Sequence, residues 1–279
     1  MDIQRIAAFS QGSEGGNPAG VVLLPEAVSA DEMARVAADV GYSETAFAVA
    51  KGNDVKSWRV RYFSPESEVP FCGHATIALG AALGKHNGAG TYTLELNDAT
   101  ITVDAEETPD GMMATLSSPP TRSRAMTDAE EQDVMALFAL SPEDLDPRLA
   151  PAFIHGGANH AVLPMKDRAR LAAMSYDLDD GRNVMRKHDL VTVMLVYIEG
   201  DQTFVVRNAF ASGGVLEDPA TGAAAAAFAG YLRDSQWPHD GSFTIRQGED
   251  MGSPSLIKVS LDDTAGASVR VSGGARDIK

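Results

Sequence analysis

The chain has 279 residues and a formal charge of −16 from 39 acidic and 23 basic side chains, so it has room for two ordinary domains and shows no basic stripe to hold nucleic acid. One cysteine excludes an intramolecular disulfide and points to a reducing compartment. No apolar run reaches the length of a membrane span, and MDIQR opens no signal peptide, so a cytoplasmic protein with no membrane partner is expected.

Residues 3–9 and 21–24 read as strands either side of a glycine-rich turn, 12–20. Ser29-Ala30-Asp31-Glu32 is a capping box opening a helix that ends at Gly41. Residues 45–50 and 56–63 form a hairpin around Gly52-Asn53-Asp54. Next comes the stretch that organises the first half, RYFSPESEVPFCGHATIALGAALGK (61–85). Its segment 75–83 has no polar face at helical spacing, and a helix apolar all round belongs inside a core. His74 then falls in the first turn of a buried helix, where orphan N–H groups and the macrodipole favour anions. Strands follow at 91–96 and 100–103 around Asn97-Asp98, and at 112–116.

SSPPTRSR (117–124) is the best linker candidate, because two prolines among small polar residues neither continue a strand nor start a helix core. Thr127-Asp128-Ala129-Glu130 is a second capping box, with a helix to about Leu140. Strands at 153–155 and 160–164, helices at 167–174 and 178–188, and strands at 190–198 and 203–210 come next. A second all-apolar helix, 223–232, precedes strands at 242–247, 256–261 and 267–271.

The two halves repeat one plan. Arg207-Asn208-Ala209-Phe210 parallels Arg61-Tyr62-Phe63, and GANHAVLP (157–164) echoes GNPAGVVLLP (16–25). Asp218-Pro219-Ala220-Thr221-Gly222 is aligned with Cys72-Gly73-His74-Ala75-Thr76, which pairs Cys72 with Asp218. The expected architecture is α+β, two pseudo-symmetric domains, each a mainly antiparallel sheet wrapped around a central buried helix. The domains span 1–118 and 127–266 with a linker at 119–126, and the last strand, about 267–279, is expected to return to the first domain.

GNPAGVV (16–22), YSETAF (42–47), FCGHAT (71–76), EDPATG (217–222) and QGEDMG (247–252) together resemble the PhzF-like isomerase family of phenazine biosynthesis, in order and across nearly the whole chain. The resemblance implies the diaminopimelate epimerase-like fold, an active site between the domains and a tendency to form homodimers. It also implies roles for particular residues. A carboxylate just before an apolar strand, as Glu44 is, reads on its own as an exposed loop residue; the resemblance makes it the general base. His74, alone a structural histidine, becomes the cleft histidine; a helix N-terminus disfavours a cation, so a neutral imidazole donating to an oxyanion is expected. Asp218 reads as an N-cap followed by proline at N1, and the resemblance adds the role of a cleft acid that relays a proton. Ser43, Gly73, Thr221, Gly222 and Ala223 are the expected substrate-binding positions, with glycine allowing close backbone approach. Cys72 reads as a buried thiol behaving as a small hydrophobe. The fold's thiol epimerases use two cysteines, and no second cysteine exists here, which excludes a two-thiol racemase. Ala223 stands where the family often has serine, and Ser253 where it often has arginine; both bear on substrate identity.

No HExxH, paired CxxC, GxGxxG, P-loop or GxSxG occurs, so neither a metal nor a cofactor is expected. The resulting expectation is a cofactor-independent isomerase that moves a proton on a small carboxylated metabolite. The alternatives are an epimerase or racemase of an amino-acid-like substrate, using Glu44 against Cys72 or Asp218, and a catalytically silent binding protein of the same fold.

Overall fold

The computed structural model describes residues 1–52, 54–97 and 99–279. Two stretches with one strand-and-helix plan make up the chain: Met1–Ser117 with Ser272–Lys279, and Ser118–Val271. The expected turn positions Asn53 and Asp98 lie outside the described residues.

In the first unit, β1 (Gln4–Ser10) pairs antiparallel with β2 (Asn17–Leu24), which runs parallel to β3 (Thr45–Lys51). The helix α1 (Ala30–Val40) makes that parallel crossover. Ser29 Oγ accepts from the Glu32 N–H at 3.3 Å to start it, and Gly41 at φ 71° ends it. It covers the outer sheet face by packing Met33 and Ala37 against Val22, Phe47 and Phe63. β3 continues antiparallel to β4 (Asp54–Phe63), which pairs with the short β5 (Glu68–Val69) and, in parallel, with β6 (Gly90–Glu95). β7 (Thr100–Thr108) and β8 (Gly111–Ser117) follow as antiparallel neighbours. β17 (Arg270–Asp277) pairs with both β8 and β1, so the hydrogen-bonded order closes into a ring.

Inside that ring lies α2 (Gly73–Asn87), with every residue from Gly73 to Gly84 buried. A helix apolar on all sides is stable here because strands meet it on all sides. Its glycines set the distance: a Cβ on Gly80 would come within 2.5 Å of Val103 Cγ2, and one on Gly84 within 2.7 Å of Ala105 Cβ.

In the second unit, β9 (Arg122–Ala125), β10 (Ala152–His155) and β11 (Asn159–Met165) are antiparallel neighbours, and β11 runs parallel to β12 (Thr192–Gly200). β13 (Thr203–Ala209) then pairs with β12, with the two-residue β14 (Glu217–Asp218) and, in parallel, with β15 (Ser242–Gln247); β16 (Ser255–Ser260) follows. The buried helix is α6 (Gly222–Asp234). Three helices cover the opposite face, α3 (Asp128–Leu137), α4 (Arg168–Ala172) and α5 (Leu178–Lys187), around Val134, Leu171, Met185, Val193 and Leu195. The expected box at Thr127 and Glu130 is present in both directions. No helix among the described residues is long and apolar enough to cross a membrane.

Two segments differ from the expectation. The tail of the supposed linker is strand β9, which pairs with β10; Pro119 and Pro120 interrupt the chain only as far as Thr121, whose N–H bonds to Gly266 O at 3.1 Å. The last strand starts at Arg270 rather than 267 and runs to Asp277, because its partners in β1 reach Asp277, paired with Ile6. Strand pairing is non-local, and neither shift was visible from local composition.

Candidate functional site

The N–H of Gly20 in β2 bonds to Glu44 O at 3.1 Å, fixing the backbone just before β3. A Cβ on Gly20 would strike Thr45, so the glycine lets the two chains approach at that point. Glu44 is held with only 9 % of its surface exposed. Facing it is the start of α2, where Cys72 is the N-cap residue and His74 the second helical residue, 5 % exposed.

That helix start is anchored from beneath. Thr76 Oγ1 donates to Cys72 O at 2.7 Å and pairs with the buried Tyr62 hydroxyl at 2.7 Å, while the Thr76 N–H bonds to Cys72 O at 3.0 Å. Burial pushes the Tyr62 phenol well above its ordinary range, so it stays a neutral strut. The loop from β4 to β5 is fastened by Arg61, whose Nε and Nη2 donate to the two carboxylate oxygens of Glu68 at 2.8 and 2.6 Å.

The functional atoms then gather. His74 Nε2 lies 3.3 Å from Glu44 Oε2 and 3.4 Å from Ser43 Oγ. Cys72 Sγ is 3.3 Å from His74 Nδ1 and 3.9 Å from Nε2. Glu44 Oε2 approaches the imidazole but makes no hydrogen bond to it or to any other described group. A carboxylate oxygen so enclosed is costly to leave unmatched. Beside it, the first-turn N–H groups of α2, Gly73 included, have no partner within the helix and suit an anion. Glu44, Cys72 and His74 also form the one group of three among the described residues whose donor set suits a metal ion.

The second unit places Asp218 differently from the expectation. It is not the N-cap of α6 but the second residue of β14, opposite Asn208 of β13 and 4 % exposed. The N-cap is Thr221, and the helix begins at Gly222, because the strand pairing holds the chain extended through 218. Thr221 Oγ1 donates to Asp218 Oδ2, and Gln247 Nε2 donates to both Asp218 O (2.7 Å) and Thr221 Oγ1 (3.1 Å). The Thr221 N–H bonds in turn to Gln247 Oε1 at 3.3 Å. The Thr221 hydroxyl is thus occupied in fixing Asp218. Gly222 is buried at the helix start and Ala223 is half-buried.

Gln247 had no role in the sequence reading beyond its place in QGEDMG; that motif was the available signal. Gly248 after it, at φ 78°, has no room for a Cβ against Ser253 O and Pro219 O, which is how the motif comes to lie on the EDPATG loop. Glu217, which the sequence left without a role, receives Nε of Arg207 at 3.1 Å and also Nη2.

Register also corrects the repeat. Tyr62 and Phe63 oppose Val69 and Glu68, while Asn208 and Ala209 oppose Asp218 and Glu217. The matching stretches are therefore EVPFCGH (68–74) and EDPATGA (217–223), three residues away from the alignment expected from sequence. Cys72 corresponds to Thr221 and Asp218 to Val69. The structure brings Ser43, Glu44, Gly73 and His74 together in one unit, and Asp218, Thr221, Gly222 and Ala223 together in the other.

A profile of the family described as phenazine biosynthesis-like protein (PhzC-PhzF) matches residues 6–278. The chain is 28 % identical over 274 residues to an isomerase of Mesorhizobium japonicum described as uncharacterized, covering 93 % of this chain and 91 % of that one. It is 29 % identical over 267 residues to trans-2,3-dihydro-3-hydroxyanthranilate isomerase of Pseudomonas chlororaphis, covering 95 % and 92 %. The crystal structure of the Bacillus anthracis phenazine biosynthesis protein, PhzF family, shares the fold with a TM-score of 0.85 at 21 % identity, over 99 % and 96 % of the two chains. The α+β, diaminopimelate epimerase-like fold is therefore the fold observed.

Proposed function

From the premise that this chain belongs to the phenazine biosynthesis-like family, we propose that it moves a proton between two carbons of a small carboxylated metabolite, with Glu44 as the base. The chain is an enzyme of isomerase type. The observation that carries the finer reading is Glu44 Oε2, buried, without a hydrogen bond, and 3.3 Å from His74 Nε2.

In this reading Glu44 takes a proton from a carbon activated by the substrate's unsaturation or carboxylate. The C–H electron pair passes into the conjugated system. The first-turn N–H groups of α2 and the His74 imidazole stabilise the delocalised anion. Glu44 then returns the proton at a second carbon, so no atom is gained or lost, and Asp218 assists the accompanying tautomerisation.

Geometry weighs against Glu44 and Cys72 acting as an epimerase pair. Two groups that invert a carbon flank it from opposite faces at about 3–3.5 Å each, so they stand about 6–7 Å apart. The functional atoms of Glu44, Cys72 and His74 all lie within 4.8 Å of one another, on one side of any substrate they touch.

Turnover of candidate carboxylated substrates in deuterated water tests this. Deuterium at a new carbon, lost in Glu44→Gln, is the expected outcome. Deuterium with inversion at the original carbon overturns isomerisation in favour of epimerisation, and ligand binding with neither product nor exchange overturns catalysis.

A further inference from the structure

The acid–base reading leaves Cys72 Sγ unused, although it lies 3.3 Å from one imidazole nitrogen and 3.9 Å from the other. The thiol, the imidazole and the Glu44 carboxylate are all buried, at 9 %, 5 % and 9 % exposed, and the three donor atoms lie within 4.8 Å of one another. Bond lengths of about 2.3 Å to sulfur and about 2.0 Å to nitrogen or oxygen at a tetrahedral centre require sulfur–nitrogen and nitrogen–oxygen separations of about 3.5 and 3.3 Å. The separations through His74 Nε2 are 3.9 and 3.3 Å and the sulfur–oxygen one is no more than 4.8 Å, so turning the Cys72 and Glu44 side chains towards each other closes the polyhedron.

We propose that Glu44, Cys72 and His74 form a three-ligand site for a thiophilic divalent cation of the zinc class, with the fourth position open to water or a substrate oxygen. One soft sulfur and one imidazole select zinc or cobalt over magnesium and calcium, which take all-oxygen shells. Glu44 Oε2 completes the argument: it is a buried anionic oxygen without a hydrogen bond, directed at the nitrogen that would share the ion. On binding, the thiol releases its proton to solvent and sulfur takes up the metal bond.

The consequence for turnover rests on the acid–base reading; the binding does not. A cation on Oε2 occupies the lone pair that must accept the substrate proton, so the loaded chain is switched off and a chelator restores it.

The test is titration of the metal-free, full-length chain with cobalt(II), followed by the thiolate-to-cobalt charge-transfer band in the near ultraviolet and the intense visible bands of a tetrahedral ion. One equivalent per chain is expected, displaced by zinc and unaffected by excess magnesium. Cys72→Ser abolishes the charge-transfer band, and both it and His74→Gln weaken binding at least tenfold. Glu44→Gln keeps the band but weakens binding, and circular dichroism confirms that each variant is folded. Absence of saturable binding, or a band that survives in Cys72→Ser, overturns the site. One equivalent of cation bound with turnover unchanged leaves the site standing and overturns the assignment of Glu44 as base.

Discussion

The tips of α2 and α6 are built on the same frame and carry different chemistry. Each is reached from a strand whose arginine makes a two-pronged pair with a glutamate, Arg61 with Glu68 and Arg207 with Glu217. Each helix opens on a glycine, Gly73 or Gly222. Around that frame the side chains diverge. Thr45 opposes Phe63 as Val193 opposes Ala209, so the residue matching Glu44 is Thr192. His74 matches Ala223, and Tyr62 matches Asn208. The Glu44 carboxylate, the His74 imidazole and the Cys72 thiol are all in the first unit. In the second, the carboxylate stands on the strand, where the Thr221 hydroxyl holds it and Gln247 holds the Asp218 main-chain carbonyl. The two units share what positions a helix tip and differ in the side chains set around it.

The largest test of that asymmetry exchanges the two matched positions. Glu44→Gln keeps shape and removes the proposed base, so kcat is expected to fall about 10³-fold. Thr192→Val, at the equivalent place, is expected to leave kcat within about tenfold because the proposed proton transfer does not use it. Comparable losses in both variants would mean that the two units share the chemistry evenly.

The paired arginine–glutamate clamps give the next contrast. Arg207 and Glu217 have side chains 13 % and 7 % exposed, against 25 % and 27 % for Arg61 and Glu68. Glu217→Gln leaves a mostly buried guanidinium without its counter-charge and costs about 2 kcal/mol or more. Glu68→Gln, nearer solvent, costs about 1 kcal/mol or less. Urea unfolding of the two variants measures the difference.

Much of this was readable before any coordinates. The two apolar segments without a polar face required enclosing sheets, and the ring around α2 is that requirement met. Glu44 and His74 were singled out by the family resemblance of YSETAF and FCGHAT, since the residue pattern alone reads as a loop carboxylate and a structural histidine. The repeat was seen but misaligned, since the spacing of the Arg61 and Arg207 strands was carried straight across a loop that is four residues (64–67) in the first half and seven (210–216) in the second. Only the pairing of Phe63 with Glu68 and of Ala209 with Glu217 fixes it. Gln247 escaped for a related reason: its partners are 26 and 29 residues away, across a strand pairing that local sequence does not encode.

The second unit also holds a buried histidine where the first has alanine. His160 is fully buried, its Nδ1 is 2.7 Å from Thr192 Oγ1, and its Nε2 has no partner among the described residues. Burial, and secondarily the nearby His155, push its pKa from 6.5 down to about 3. The folded chain therefore holds the imidazole neutral while the unfolded chain protonates it below pH 6.5. Stability from this group is intact above pH 6.5 and lost as pH falls towards 3, amounting to about 2 kcal/mol between pH 7 and pH 5. Urea midpoints across that range fall accordingly, and His160→Gln removes this part of the slope. An unchanged slope in the variant would mean that the imidazole titrates alike in folded and unfolded chains.

The finest contrast lies midway along the two buried helices. Counting from Gly73 and Gly222, Gly80 of α2 matches Ala229 of α6. A methyl at position 80 meets Val103 Cγ2 at 2.5 Å and Ala114 Cβ at 3.0 Å, so the ring has closed onto a bare backbone. Alanine is the better helix former by about 1 kcal/mol, whereas overpacking a filled core costs about 1–3 kcal/mol. Val103 is β-branched and wholly buried, with little freedom to give way, so the clash outweighs the propensity and Gly80→Ala destabilises by about 1 kcal/mol. In α6 the reverse change, Ala229→Gly, removes a buried methyl and loosens the backbone, again for about 1 kcal/mol. Thermal or urea unfolding should show both exchanges lowering stability; a gain from Gly80→Ala would mean that β7 and α2 separate more easily than their packing implies.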